Sequence, residues 1–496
     1  MMGWFCLGRG EARQELLRSA HSLPMLRMRL LIPLLMVAAC TDGVQPGRPP
    51  RHVLLITVEG LRADHTSAML YQRSTTLQSV TPQQRAEGKA LSLDDLAADG
   101  VLFSQAFAPS GSAPQGVLSV LGGERGLQEQ PTPMLAQAML DAGMFTVAFV
   151  NDSNGLPAQV EQGFHACLRR ESDLKVLVEA VRWFDVHDFG NDEGVFVWVH
   201  LAGPAFPFSP GSFIDLSTKQ TVDFAGLYTD PDSDSKMTGS LEERDAWWAG
   251  RESDLPSAAD RERLIDLYDG GVAQMSFQVG YLLDYLQFAT RSDQALDETV
   301  LVLAGVHGVE LDRPGVPWGV SSEARDSSLR VPLVIRHPGG LRGSRILSPV
   351  VELCDLAPTL CEWFGAPAPQ PKGEDSSAHK GRSLMPLLGS PFGVQESELS
   401  EAQKASSFGK HAALGIQTDP PRLTVRDGRW RLVVNLLESE SNPGKIDSQS
   451  ARLFDSGRDA REERDATAQH PEQVARLLQI LEDVQGTGLA RKGRKP

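Results

Sequence analysis

The chain is poor in cysteine, with five cysteines in 496 residues. No two of them form a CxxC pair, and none has the Cys/His spacing of a zinc site, so the sequence contains neither a dithiol redox motif nor a thiolate metal centre. Cys354 and Cys361 are predicted to lie two turns apart on one helix, which is too far for a disulfide between them. We therefore interpret Cys167, Cys354 and Cys361 as small core residues.

Positive charge is also scarce. The chain has 48 lysines and arginines but 64 aspartates and glutamates, so its formal net charge is -16. Nucleic-acid binding requires a basic surface, so this balance argues against a nucleic-acid partner. The 41% hydrophobic and 23% charged content is ordinary for a soluble globular protein. The length allows one large domain and a smaller one.

No apolar run is long enough for a membrane-spanning helix, which needs about 20 residues. The run Leu30–Ala39 is short, follows the basic Arg27 and Arg29, and ends in small residues, which is the pattern of a secretory signal. Its end, Val-Ala-Ala-Cys40, resembles a bacterial lipobox, in which the cysteine is lipidated. A plain cleaved signal with a chance cysteine is the alternative.

We therefore predict a signal or lipoprotein leader over residues 1–40 and a Pro/Gly-rich linker over 41–50. Lipidation of Cys40 would anchor the protein to a membrane of the bacterial cell envelope, on its periplasmic or extracytoplasmic side.

The segment after the linker begins with the apolar run Val53–Val58, which predicts a buried strand of a parallel sheet. The carboxylate of Glu59 follows it directly, at the strand end where ligands of α/β proteins gather. Later segments predict a series of helices and strands. The helices are 91–100, 134–143, 173–185 and 258–289, and the strands are 145–150, 195–201, 299–305 and 330–335.

Several motifs in order resemble the sulfatase family of the alkaline phosphatase superfamily. Ile56–His65 (ITVEGLRADH) is similar to the family's opening I-T-V-D-x-L-R-A-D-H, and Arg330-Val-Pro332 to its closing strand. Leu91–Gly100, Tyr268–Asp284 and Val351–Gly365 resemble family helices. The chain is identified as a divergent member over residues 51–484.

The resemblance implies an α/β fold with a large mixed, mostly parallel sheet flanked by helices, over residues 51–390. A small C-terminal α+β subdomain would follow over 391–496, with an antiparallel sheet around the Asp427-Gly428 hairpin and a last helix at 471–484. The segments 211–257 and 390–410 are polar, and we interpret the first as irregular.

The nucleophile motif of the family, C/S-x-P-S-R, falls on Ser112, Pro114, Gln115 and Gly116. Ser112 thus occupies the nucleophile position, but the motif's inner serine is Gln115 and its arginine is Gly116. A serine nucleophile would still need a metal or a base to activate it. A helix N-cap is the simpler role for a serine followed by Ala-Pro, and we favour it.

The family's metal and substrate positions are altered too. By resemblance, the metal ligands fall on Glu59, Val306 and His307, where the family has aspartate, aspartate and histidine. The aspartate and histidine of F-D-P-H fall on Gly203 and Ala205, and the lysine expected near residue 320 is absent. His200, inside its strand, fits a satisfied core histidine better than a replacement.

The resemblance therefore leaves Glu59 and His307 as weak or vestigial metal ligands, and Arg62, Gln115, Gly116 and Ala205 as the substrate-pocket positions. We expect no cofactor and no ordinary sulfatase chemistry, and a binding or scaffolding role with an anionic ester ligand or a protein partner. The alternative is an active sulfuric- or phosphoric-ester hydrolase or transferase that uses Ser112 and a remodelled Ca²⁺, Zn²⁺ or Mn²⁺ site.

Overall fold

The computed structural model describes residues 50–77, 92–125, 134–187, 194–214, 221–250, 256–289, 298–311, 313, 316–319, 324–337, 345–369, 380–388, 412–418, 420–437 and 444–486. Residues from Arg48 onward form one compact unit. The predicted leader, Cys40 and nearly all of the linker lie outside the described residues, as do residue 320 and the segment 390–410. None of the described helices is long and apolar enough to cross a membrane.

Fifteen strands occur in the described residues: His52–Val58 (β1), Val101–Phe107 (β2), Phe145–Asn151 (β3), Ala166–Arg170 (β4), Val195–Leu201 (β5), Ser212–Ile214 (β6), Thr221–Asp223 (β7), Thr299–Gly305 (β8), Arg330–Arg336 (β9), Arg345–Leu347 (β10), Val351–Glu352 (β11), Ala413–Thr418 (β12), Pro421–Asp427 (β13), Trp430–Leu436 (β14) and Ile446–Asp455 (β15).

The α-helices in the same residues are Leu93–Ala98 (α1), Ala113–Gly122 (α2), Leu135–Asp141 (α3), Asp173–Val186 (α4), Leu241–Gly250 (α5), Ala258–Ala289 (α6), Asp326–Leu329 (α7), Leu356–Phe364 (α8), Met385–Leu388 (α9) and Pro471–Gly486 (α10).

The large sheet has the order β10-β2-β9-β8-β1-β5-β3-β4, with β11 also paired to β2. Only β9 runs antiparallel to its neighbours, so the sheet is mixed and mostly parallel, as predicted. Apolar side chains of α2, α3 and α8 cover one face, and those of α1, α4 and α6 cover the other. The long parallel strands are mostly apolar because both faces of the sheet are buried, and their few polar residues, such as Thr57 and His200, are buried as well.

The C-terminal subdomain is the predicted small antiparallel sheet, in the order β12-β13-β14-β15. The hairpin joins β13 and β14 at Asp427-Gly428, where Gly428 has a φ of +57°. Its own apolar core includes Leu477 and Leu481 of α10. The first strand, β12, was not predicted, because it follows a long polar segment.

Three local predictions were wrong. The segment 211–257 is not wholly irregular, because it contains the β6–β7 hairpin and α5. The helix predicted from Val351 begins only at Leu356, and Cys354 lies in the 3-10 turn before it, so the two cysteines do not share a helix. Cys354 and Cys361 are buried in the core as expected, but Cys167 is only partly buried.

Candidate functional site

The parallel strands β1, β5 and β8 bring three chain segments together at one edge of the sheet. Strand β1 pairs with β5 on one side and with β8 on the other. Glu59, Ala202 and Val306 are the residues that follow these strands. Because carboxyl ends of parallel strands meet at one edge, the family's metal and substrate positions converge there.

Glu59 is buried, and both oxygens of its carboxylate accept hydrogen bonds from the protein. His200 Nε2 lies 2.9 Å from Glu59 Oε1, and Asn154 Nδ2 donates to Glu59 Oε2. Burial alone would raise the pKa of the Glu59 carboxyl, but His200, His307 and Asn154 together lower it below its ordinary value. The carboxylate is therefore held in its charged form by neighbouring side chains.

His200 is fully buried and hydrogen-bonded, as predicted for a core histidine, but one of its partners is Glu59. Its Nδ1 lies 2.8 Å from the hydroxyl oxygen of Thr57, which also accepts a hydrogen bond of 2.9 Å from the Trp198 indole. The contacts of Glu59 with His200 and Asn154 were not predicted from the sequence. Strand pairing was the missing information, since Thr57 and His200 are direct neighbours on β1 and β5.

His307 is buried beside this group, with Nδ1 2.8 Å from the carbonyl oxygen of Gly308. Burial lowers the pKa of the His307 imidazole, against the opposing effects of the Glu59 carboxylate and the Gly308 carbonyl. A neutral imidazole that donates from Nδ1 keeps a lone pair on Nε2. His307 therefore retains a typical metal-binding group at its predicted ligand position, as Glu59 also does.

Val306 and Gly116, which stand where the family has a ligand aspartate and the motif arginine, pack directly against each other. A Cβ atom on Gly116 would lie 2.2 Å from the carbonyl oxygen of Val306 and 2.9 Å from its Cβ. The Val306 side chain is fully buried in the core. The backbone of helix α2 at Gly116 is thus in direct contact with the residue that follows β8. This contact leaves no room for a side chain at position 116.

Ser112 precedes α2 at the N-cap position, as predicted, but its side chain makes no capping hydrogen bond. Its backbone N–H donates a hydrogen bond to Ser110 Oγ at 3.1 Å. The prediction of an N-cap is therefore correct for the position of Ser112, but the predicted hydrogen bond from the helix to its side chain is not formed. Ser112 and Gln115 are both partly exposed on the first turn of the helix.

The loop after β5 carries Gly203 and Ala205 where the family has aspartate and histidine. Gly203 has a φ of +53°, and a Cβ there would lie 2.5 Å from Val58 Cγ1, so an aspartate does not fit. The loop is held instead by the carboxylate of Asp173, which accepts the N–H groups of Ala202 and Gly203 at 2.8 and 2.9 Å. Ala205 lies against the backbone of Gly60.

Arg62, predicted for the substrate pocket, is engaged by the protein. Its Nε and one terminal nitrogen donate to both carboxylate oxygens of Asp64 at 2.9 and 2.7 Å. The other terminal nitrogen donates to the Val309 carbonyl at 3.0 Å. Arg62 therefore ties the loop after β1 to the segment after β8.

The residues present do not fit a hard divalent ion at the metal position that the family resemblance implies. Hard divalent ions take six or more oxygen ligands, whereas Glu59 and His307 are the acidic and imidazole groups left at the ligand positions. Each Glu59 oxygen already accepts a hydrogen bond. Across the described ranges, no three His, Cys, Asp or Glu side chains are grouped to hold a metal.

Comparisons with known proteins agree with this architecture. A curated relative, the extracellular sulfatase SULF-1 homolog of Drosophila melanogaster, is 37% identical over 93 residues, which are 19% of this chain and 8% of the relative. The chain thus matches only a small part of that protein's length.

Two solved structures are similar in fold over most of both chains. One is a protein in complex with its substrate D-glucosamine-2-N,6-O-disulfate, with a TM-score of 0.59, 14% identity and coverage of 90% of this chain and 100% of the other. The other is the phosphonate monoester hydrolase of Agrobacterium radiobacter, with a TM-score of 0.55, 18% identity and coverage of 89% and 96%. The family model for sulfatases matches residues 51–366. The chain therefore belongs to the sulfatase family.

Proposed function

We propose that this sulfatase-family protein is impaired in ester hydrolysis and acts by binding, while tethered through Cys40 to a membrane of a bacterial cell envelope. The observation that carries the proposal is that both oxygens of the Glu59 carboxylate are paired with protein side chains. In a hydrolytic centre of this kind, the ligand carboxylates hold a divalent ion that activates the nucleophile. Here His200 and Asn154 take the place of such an ion at both oxygens.

The packing around Glu59 supports the same proposal. Val306 presents methyl groups where a ligand carboxylate would stand, and Gly116 presses against it without a side chain. A buried valine gains free energy from the same apolar environment that would penalise an unpaired carboxylate. Valine at 306 and glycine at 116 fit each other sterically. This fit favours a stable packed centre that no longer serves ester hydrolysis.

The first test is metal content. We expect protein purified without chelators to contain less than one equivalent of calcium, zinc or manganese by elemental analysis. Millimolar calcium should leave the melting temperature unchanged, because an ion that does not bind the folded state cannot stabilise it. Glu59→Gln and His307→Ala serve as matched variants and should have the same metal content as the wild type.

Stoichiometric metal that both variants lose would contradict the proposal. It would favour the second candidate, an ester hydrolase or transferase that uses Ser112. One observation supports that candidate: the Ser112 hydroxyl makes no hydrogen bond with the residues that the structure describes. Hydrolysis of sulfate, phosphate or phosphonate esters that disappears in Ser112→Ala, with folding unchanged, would establish it.

The membrane tether has a separate test. We expect wild-type protein expressed in a bacterial host to incorporate a labelled fatty acid and to sediment with membranes, and Cys40→Ala to do neither. The matched control is Cys167→Ala, which removes a cysteine from the folded body. Absence of the fatty-acid label from the wild type would favour the plain cleaved signal, and equal labelling of wild type and Cys40→Ala would show that Cys40 is not the lipidated residue.

A further inference from the structure

The chain enters the large sheet at its amino edge, the edge at which the parallel strands begin. The carbonyl oxygen of Arg51 lies 2.6 Å from the place of a Cβ atom on Gly194, and the Gly194 carbonyl accepts the N–H of Phe145 at 2.8 Å. On the next strand, His165 donates its N–H to the Thr146 carbonyl at 2.9 Å. Because β1, β5, β3 and β4 are successive neighbours, this edge extends about 15 Å from the point of entry.

A row of aromatic rings and one exposed aliphatic side chain lie along this edge. Phe145 stacks on His165 with ring centroids 4.5 Å apart, and it lies 6.1 Å from Trp183 of α4. Trp183 stacks in turn on His187 at 4.2 Å. Val186, at the end of α4, is 82% exposed. We call these five side chains the amino-edge surface. An apolar tip beside a half-buried tryptophan is typical of surfaces at a lipid–water boundary.

Several polar groups at the same edge are partnered within the protein. Arg51 pairs with Glu298 at 3.4 Å, and Tyr285 donates to Asp185 Oδ1 at 2.6 Å. Partnered groups cost less to bring close to a lipid surface than unpartnered ones do. The formal net charge of -16 does not favour anionic lipids. Attraction of this edge to a bilayer would therefore come from apolar contact.

The position of Cys40 in the chain determines which edge stays near a lipid attached to it. Ten residues, 41–50, connect Cys40 to Arg51, and ten residues span at most about 36 Å when fully extended. The opposite, carboxyl edge lies about 20 Å farther away, along the seven residues of β1. The amino edge is therefore the part of the body that a lipid anchor holds closest to the membrane.

The apolar contact that Val186 offers is small by itself. Burial of one valine side chain strengthens an interaction by about ten- to a hundredfold, which is too little to hold an untethered protein on a membrane. A tether raises the local concentration of the body at the bilayer, so that the same contact is enough to select one orientation.

We propose that the amino-edge surface rests on the bilayer to which Cys40 is anchored, with Val186 inserted at the boundary between headgroups and acyl chains. The inference rests on the proposed tether and adds to it the face of the protein that meets the lipid. The carboxyl edge, with Glu59 and His307, is then turned away from the membrane.

Fluorescent labels at two exposed aliphatic positions test this orientation. Bimane would be attached to Val186→Cys or to Leu70→Cys, each in a Cys167→Ala background, and the lipidated protein would be placed on phosphatidylcholine vesicles that contain nitroxide-labelled lipid. Leu70 is the matched control, because it is 88% exposed and follows the carboxyl end of β1. We expect about twofold quenching at position 186, since interfacial side chains lie about 5–10 Å deep in the boundary, and no quenching at position 70.

A second arm separates failure of the tether from failure of the orientation. A histidine tag inserted before Asp42 would hold the same labelled variants on vesicles with nickel-chelating lipid, whether or not Cys40 is lipidated. Selective quenching at position 186 in the tagged protein supports the inference, and Val186→Asp in a protein labelled at His165→Cys should reduce quenching there. Wild type that does not sediment with membranes would contradict the tether alone. Equal quenching at positions 186 and 70, or none at 186, in the tagged protein would overturn the inference.

Discussion

Glu462→Ala is expected to lower the free energy of unfolding by about 3–5 kcal/mol, because it leaves Arg431 buried without its counter-charge. The two side chains are almost completely buried, and Arg431 Nε lies 2.5 Å from Glu462 Oε1. Arg431 also donates to the Ala324 carbonyl, and Arg325 donates to the Glu462 carbonyl at 2.6 Å. The variant should therefore unfold at a clearly lower denaturant concentration.

The matched controls separate the loss of charge from the loss of packing. The double variant Arg431→Met/Glu462→Leu should recover much of the stability, since apolar residues of similar size can replace a buried ion pair. Lys175→Ala breaks an exposed i,i+4 pair with Glu171 and should hardly change the midpoint. If Glu462→Ala were as mild as Lys175→Ala, the buried pair would not stabilise the fold as we describe.

Gly116→Ala is expected to destabilise the protein by about 2–3 kcal/mol, the range of a strongly overpacked core site. The substitution would ordinarily stabilise a helix by about 1 kcal/mol. At this position the new Cβ would lie 2.2 Å from the Val306 carbonyl oxygen, so α2 or the end of β8 must move. Thermal and chemical unfolding would measure the effect.

Gly122→Ala provides the control within the same helix. A Cβ at Gly122 would meet only Met134 Sδ, at 3.9 Å, so this variant should be neutral or slightly more stable than the wild type. Equal stability of the two alanine variants would mean that α2 does not press against Val306. It would also remove the steric reason for the absence of the motif arginine.

The major strands and helices of the α/β body could be predicted because their residues show clear periodicity. β1, β5 and β8 are predominantly apolar runs, and α6 extends over the predicted 258–289. Segments with mixed signals were predicted less well. The turn at Leu353–Asp355 interrupts an apolar run that by itself suggests one helix, and β12 follows a polar segment without any strand signal.

The sequence alone determined the family and the chemical identity of each altered site position, since motifs and replaced side chains are local features. Only the tertiary structure decided what those positions contact. Glu59, Asn154 and His200 come from three distant segments and meet because β1, β3 and β5 are neighbours in the sheet. Hydrogen bonds and electrostatic interactions depend on distance in space and not on distance in sequence. The residues that take part in them can therefore be identified only in the folded chain.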